Sequence, residues 1–549
     1  MNKLTNYLKF IFWGLLMMVV SMQISAATNY YFYIQLADKN NTPYTLSNPS
    51  AFLSEKAIAR RMLRAPIIDS TDLPIDPSYL SQIQNLGILI HSKSRWLNGV
   101  TALLADSSKM SAVRALPFVK FVQYTGKTTT MSGVGAAKVK QVVNFDYGAA
   151  NLQISQLSGK YLHNAGYRGK GITIGVLDAG YTNVNVNHAF DSLRLQGRLL
   201  GVKDIVEPMS NIYVQDTHGA HVLSTMAGNL PGSFLGTAPD AAYWLIRTEY
   251  APTEYLVETD FWCAGIEYAD SVGVDVLNSS LGYATFDDPK MNFTYADMNG
   301  NVSRASRAAT LAAKKGIVVL NSAGNDGNDA WHYISSPADA HGIITVGAVQ
   351  NDSISSLFSS FGPSFDGRIK PEVACLGTAA SVVNISGVPT SGNGTSYASP
   401  IMAGMVACYL QFAMTKNPSC SVETLLHHIY ASAHLYGNPT AQKGYGIPDF
   451  QLAMHGFDLA NSTLGCLLDN NYMLINNSAS KTIFIRNISI DADFNGNIRI
   501  YSMRGEVVAS QTIQNLQTIF HTDTFPAGVY AVCITSNGNS CVKKVLIEK

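Results

Sequence analysis

Ile172-Thr173-Ile174-Gly175-Val176-Leu177-Asp178-Ala179-Gly180 is the stretch on which the fold turns. A mostly apolar run without charge ends at an aspartate and two small residues. A strand with one wet face alternates apolar and polar side chains, so an unbroken apolar run marks a strand covered on both faces. Ala242–Ile246, Val274–Asn278, Ile317–Leu320 and Ile343–Val346 repeat the pattern. Between them His218–Ala227, Tyr255–Ser271 and Val302–Lys315 have helical spacing. Strands alternating with helices predict an α/β region: a mostly parallel, doubly wound sheet with helices on both faces. Ligands of such sheets bind at the carboxyl ends of the strands, so the residues after each strand are where chemistry is expected.

The flanks differ from this centre. Lys3 and Lys9, the apolar run Phe10–Val20, and Ser25, Ala26 and Ala27 have the order of a secretory signal peptide, assigned to residues 1–27. Residues 28–124 read as a small α/β domain. Its expected strands are Tyr30–Gln35, Ile88–Ser92, Gly99–Ala105 and Phe118–Gln123, and its helices Ser54–Leu63, with Ser50 as N-cap, and Ser107–Leu116. A linker spans 125–147, its segment Lys127–Lys140 rich in Thr, Gly, Ala and Lys. The α/β region takes 148–460. In 464–549 helical spacing stops, and Thr482–Arg486, Ile498–Tyr501, Glu506–Gln511, Val529–Thr535 and Cys541–Ile547 read as strands of a β-sandwich, with Asn537-Gly538 turning the last hairpin.

Composition narrows the function. The 549 residues are 47% hydrophobic and only 14% charged, with 38 basic and 38 acidic side chains. A neutral chain without a basic stripe does not fit nucleic-acid binding. Seven cysteines without a CxxC pair fit neither a disulfide scaffold nor a zinc cluster, although Cys533 and Cys541 stand symmetrically about Asn537 and could bridge a hairpin.

Four residues stand where chemistry is expected. Asp178 ends the first buried run. His218 opens a helix in Asp216-Thr217-His218-Gly219-Ala220-His221-Val222, and Gly219 leaves room for close approach to the imidazole. Asn325 follows the strand Ile317–Leu320 within Asn321-Ser322-Ala323-Gly324-Asn325-Asp326-Gly327. Ser396, in Gly392-Asn393-Gly394-Thr395-Ser396-Tyr397-Ala398-Ser399-Pro400, precedes the apolar helix Ile401–Phe412, where free N–H groups favour negative charge. Taken singly, each has a plain reading: a turn aspartate, a packed histidine, a turn asparagine, an N-cap serine. His218 with His221 lacks the glutamate and third ligand of a metalloprotease helix.

As a set in the order Asp, His, Asn, Ser, they resemble the subtilisin-like serine proteases, the subtilase or peptidase S8 family, most specifically in Gly394-Thr395-Ser396-Tyr397-Ala398-Ser399-Pro400. The resemblance implies that Asp178 orients the imidazole, His218 is the general base, Ser396 the nucleophile and Asn325 an oxyanion donor. It implies that Ser280, Leu281 and Gly282 form a substrate-pairing edge, and that Gly444-Tyr445-Gly446 approaches the family's final helix. Ala179 and Ala220 depart from the family, which usually has Ser or Thr, and Thr, at those places. Residues 28–124 resemble an inhibitory propeptide. The tail, through Ile498-Arg499-Ile500-Tyr501, Arg504-Gly505-Glu506-Val507-Val508, Ala527-Gly528-Val529-Tyr530 and Lys543-Lys544-Val545-Leu546-Ile547, resembles the type A sorting domains of Bacteroidetes secretion. The expectation is a secreted or cell-surface serine endopeptidase made as a zymogen. Its partners would be protein or peptide substrates, its own propeptide as inhibitor and the secretion machinery. No metal ligand is assigned and no cofactor is certain; no twelve-residue calcium loop occurs, yet many subtilases bind calcium, which leaves calcium open. The alternatives are a catalytically silent surface adhesin on a subtilase scaffold, and a secreted esterase, whose usual Gly-x-Ser-x-Gly elbow Gly394–Ala398 does not match.

Overall fold

A computed structural model describes residues 28–65, 67–128, 147–460, 472–477, 482–487, 496–513, 517–536 and 539–547. The signal-like segment 1–27 and residues 129–146 of the expected linker lie outside the described residues.

The N-terminal unit is a four-stranded antiparallel sheet of β1 (Asn29–Leu36), β2 (Leu89–Ser94), β3 (Gly99–Leu104) and β4 (Val119–Thr128), in the order β2-β3-β1-β4. Alternation along β1 gives the sheet two apolar faces. Phe32, Ile34 and Leu36 enter the unit's own core with Ile83, Val100 and Val113. Tyr31, on the other face, meets Phe261 edge to face at 5.5 Å and joins the core of the central region. The first helix, α1 (Glu55–Arg64), is capped by Ser54, whose side chain accepts from Ala57 N, and not by Ser50, which lies within a separate 3₁₀ turn, Pro49–Ala51. A helix absent from the sequence reading, α2 (Pro77–Asn85), starts with Pro77 in its first turn and Asp76 as its cap. It was missed because Ile83 is its only buried residue. The expected helix Ser107–Leu116 is a 3₁₀ turn followed by the short helix Met110–Arg114.

The central sheet has seven parallel strands: β5 (Thr173–Asp178), β6 (Leu199–Asp204), β7 (Ala242–Arg247), β8 (Val276–Ser279), β9 (Val318–Ser322), β10 (Ile344–Val349) and β11 (Val373–Leu376). Their order is β11-β10-β9-β8-β5-β7-β6. Successive side chains take opposite faces. Ile174, Val176 and Leu320 pack into a core with the helices His218–Ala227 and Thr395–Lys416. Leu177, Leu277 and Val319 pack into another with Val257–Ser271 and Arg304–Lys314. The sheet is doubly wound, as its apolar runs predicted. The two edge strands, β6 and β11, were not foreseen. β6 alternates between half-buried and exposed positions, and β11 has only four residues, so neither has a long apolar run.

The tail forms a three-stranded sheet (Tyr472–Asn477, Thr482–Asn487, Gln517–His521) and a four-stranded one (Gly496–Ser502, Val507–Ile513, Gly528–Ser536, Asn539–Ile547), all pairs antiparallel. Ile483, Ile485, Ile498, Ile500, Val532 and Ile534 make its core. Tyr472–Asn477 and Gln517–His521 were not expected from the sequence. The turn residues 537 and 538 lie outside the described residues, but Ser536 opposite Asn539 leaves a two-residue connection. Cys533 opposes Val542 and Cys541 opposes Ile534, so the register sets the two cysteines out of line, and the Cys533 thiol is free.

Candidate active site

Asp178 is the last residue of β5 and fully buried. Its Oδ1 accepts from Ala179 N at 2.8 Å and from His218 Nδ1 at 2.8 Å. Oδ2 is buried without a hydrogen-bond partner, and Ala179 has no hydroxyl to offer it.

His218 is the first residue of its helix, and its N–H donates to Asp216 Oδ1 at 2.7 Å. A Cβ on Gly219 would lie 2.4 Å from Gly180 O and 2.8 Å from Asp178 Cβ. Gly219 therefore serves the approach of helix to strand, not of a ligand to the imidazole. Burial alone would lower the His218 pKa. The Asp178 carboxylate overrides it by charge and hydrogen bond, with Asp216 and Glu249 adding, and holds the imidazole up at about 9.

Ser396 is the second residue of the helix Thr395–Lys416. Gly394 before it has φ 151°, a conformation suited to glycine. Two serines clasp each other here: Ser280 Oγ donates to Ser396 O at 2.9 Å, and Ser396 Oγ is 3.4 Å from Ser280 O. The Ser396 hydroxyl thus rests on Ser280 O.

Asn325 follows β9 at the same sheet edge. Its Oδ1 accepts from Thr395 N at 2.9 Å and Thr395 Oγ1 at 3.0 Å, which assigns the amide orientation and turns Nδ2 outward as a donor. A Cβ on Gly394 would sit 3.6 Å from Ser396 N and 3.7 Å from Asn325 Nδ2. Both donors therefore border the same small space beside Gly394, as does Asn325 Oδ1 at 3.8 Å. A space lined by a side-chain N–H and the N–H of a helix's first turn can receive an oxyanion.

Ser280, Leu281 and Gly282 follow β8 and run beside Ser396. Asn321 Nδ2 holds Leu281 O at 3.0 Å, and a Cβ on Gly282 would meet Ser335 Oγ at 2.3 Å. Gly444-Tyr445-Gly446 lies just ahead of the helix Phe450–Ala460, with Gly444 packed against the carbonyl of Pro371.

Three neighbours escaped the sequence reading. Thr395 anchors Asn325, although the quoted motif contains it. Asp216 caps the His218 helix. Glu249, Glu254 and Glu258 form an acidic cluster beyond β7 with no motif spacing to announce it. Burial raises all three carboxyls, Glu254 up to about 9, and Tyr283 Oη donates to Glu249 Oε2 at 3.0 Å.

The fold and these groups together are those of a serine hydrolase built on an α/β sheet. The sequence model of the subtilase family matches residues 169–447, and the chain belongs to that family. Residues 31–141 match the Bacteroidota peptidase S8 propeptide domain, and 479–548 the secretion system C-terminal sorting domain. Subtilisin NAT of Bacillus subtilis subsp. natto is 27% identical over 306 residues, covering 55% of this chain and 70% of its own. Subtilisin DY of Bacillus licheniformis is 29% identical over 276 residues, covering 50% and 87%. Serine protease AprX of Bacillus subtilis (strain 168) is 28% identical over 279 residues, covering 44% and 58%. The protein is a serine-type endopeptidase with a propeptide domain and a sorting domain that marks it for export.

Proposed function

We propose that Asp178, His218 and Ser396 are the catalytic triad and that Asn325 Nδ2 and Ser396 N receive the oxyanion. The observation that carries this is the pair of donors meeting beside Gly394, with Asp178 bound to His218 at 2.8 Å. In acylation the Ser396 hydroxyl proton passes to His218 Nε2 as Oγ bonds to the peptide carbonyl carbon. The carbonyl electrons move to oxygen, which accepts from the two donors. His218 then gives the proton to the leaving amine and the C–N bond breaks. Water attacks the acyl-enzyme with His218 again as base and restores Ser396. Ser280, Leu281 and Gly282 hold the substrate backbone as an added strand.

Residues 1–27 direct export, 28–124 act as inhibitor until removal, and 464–549 address the protein to its secretion machinery. β4 is paired with β1 as far as Thr128, which supports a maturation cut after Thr128 and before Tyr147. The deciding experiment is Ser396→Ala: the precursor keeps its melting temperature, loses casein hydrolysis and keeps its N-terminal unit attached. Near-normal hydrolysis by that variant would reject the triad. Casein against short-chain esters separates a protease from an esterase.

A further inference from the structure

β8 is the middle strand of the seven, and Asn278 stands in it level with Val176 of β5 and Leu320 of β9. Val176, Val276 and Leu320 belong to the apolar core beneath the helix Thr395–Lys416, and Asn278 is fully buried among them. An amide in such a place is unfavourable unless both of its ends are bonded. Here both are. Ser399 Oγ stands 2.8 Å from Asn278 Oδ1, and Asn278 Nδ2 stands 3.1 Å from Ser280 Oγ. Ser280 Oγ in turn lies 2.9 Å from Ser396 O. A carbonyl only accepts, so Ser280 Oγ donates to Ser396 O and keeps its lone pairs for Asn278 Nδ2. That turns Asn278 Oδ1 toward Ser399 and makes the Ser399 hydroxyl the donor. The chain Ser399–Asn278–Ser280 thus runs one way and ends on the carbonyl of Ser396.

That carbonyl is open for a reason written in the sequence. In an α-helix the C=O of residue 396 accepts from the N–H of residue 400. Residue 400 is Pro400, inside the helix, and proline has no N–H to give. Ser396 O therefore lacks its helical donor, and the Ser280 hydroxyl brings one across from the end of the neighbouring strand. Ser396 and Ser399 are three residues apart and so share one face of the helix. The chain grips the helix's first turn at both places and ties them to β8. Ser399 and Asn278 are fully buried and Ser280 is 6% exposed, which leaves water little access to replace a lost bond.

We propose that Asn278, Ser399 and the Ser280 hydroxyl are positioning residues for the nucleophile, an inference that rests on the assignment of that role to Ser396. They set the first turn of the Ser396 helix against the end of β8. Ser396 Oγ and N are thereby placed relative to the backbone of Ser280, Leu281 and Gly282, on which the substrate lies. None of the three side chains takes part in bond making. They act through the placement of Ser396, where a shift of about 1 Å costs on the order of a hundredfold in rate.

The test uses the matured enzyme from the full-length chain, with a peptide amide as substrate. Active sites are counted by incorporation of a phenylmethylsulfonyl-type reagent, so that kcat refers to folded enzyme alone. Asn278→Leu puts an apolar side chain of the same branching between Val176 and Leu320, and Ser280→Ala removes the hydroxyl. Each should lower kcat by about tenfold to a hundredfold and leave KM within about twofold. The double variant should be no slower than Ser280→Ala, because both substitutions act through one hydroxyl. If Asn278→Leu fails to fold, Ser399→Ala takes its place and should show the same split between kcat and KM. Unchanged kcat per active site, with only the melting temperature lowered, would reduce the chain to core packing and overturn the proposal. Effects that multiply in the double variant would overturn it too. Loss of hydrolysis in Ser396→Ala beside intact kcat in these variants rejects this proposal alone. Near-normal hydrolysis by Ser396→Ala rejects the triad, and this proposal with it.

Discussion

At the scale of single residues, Asn325 has two jobs that substitution can separate. Its Oδ1 anchors Thr395 and its Nδ2 faces the space beside Gly394. Asn325→Asp keeps an acceptor for Thr395 but removes the donor and adds a repelling charge. It should lower kcat by about 10²–10³, or ~2.7–4 kcal/mol, with KM nearly unchanged; the magnitude is the one known for an oxyanion donor in subtilisin itself and is carried over. A shift in melting temperature with kcat intact would instead mark a turn asparagine. His218 gives a pH prediction. Its pKa stands at about 9 against an ordinary 6.5. The base form is needed for attack, so kcat/KM should climb from pH 7 and level off only above about 9. Stability runs the other way. The raised pKa contributes fully below the ordinary value, and that contribution is lost as pH rises through 9. Asp178→Asn in the Ser396→Ala background should move the imidazole titration, followed by NMR, down toward the ordinary value. Titration left near 9 would show that Asp178 is not its main cause.

At the scale of elements, the helix Glu55–Arg64 is a charged wedge. Arg60 and Arg61 reach Asp270 at 2.5 and 2.6 Å, and Arg64 reaches Asp275 at 3.1 Å. Asp270 also takes Arg95, while Arg61 pairs with Asp72, which Lys315 contacts as well. Burying such ions is unfavourable in itself, but removing one partner leaves the rest uncompensated, at about 3–5 kcal/mol. Asp270→Ala should therefore lower the precursor's melting temperature sharply, since it removes the carboxylate that Arg60, Arg61 and Arg95 share and leaves Arg61 with Asp72 alone. Ser54→Ala, which removes only a cap, should cost about 1 kcal/mol. Equal effects of the two in a thermal melt would mean that the ion network contributes no more than a helix cap. Glu267 adds to the same interface, accepting from Ser94 Oγ, Arg95 N and Trp96 N.

At the scale of the whole molecule, the tail has its own core of isoleucines and valines. Deleting 464–549 should leave the melting temperature of the subtilase region within about 1–2 °C, since an independent core contributes little to another's stability. The truncated protein should be retained in the cell envelope rather than displayed or released. Normal surface display of the truncated chain would leave the tail no sorting role.

Much of this was legible along the chain. Apolar runs gave the central strands because a strand covered on both faces must be apolar throughout, and β5 begins and ends within a residue of the reading. The helix His218–Ala227 has its expected bounds. Asp178, His218, Asn325 and Ser396 were singled out because each stands at a strand's end or a helix's start, which sequence order reveals. What sequence could not supply was contact between residues far apart in the chain. Thr395 against Asn325, Ser280 against Ser396, and the ion network around Asp270 join segments 70 to more than 200 positions apart. The edge strand β6 and the helix Pro77–Asn85 escaped because few of their side chains are buried, and burial is what writes period into a sequence, whereas β11 is buried throughout but only four residues long. The glutamate cluster escaped for another reason. Its spacing follows no helical or strand period, and only the packing of the loop after β7 on the next helix brings the three carboxylates together.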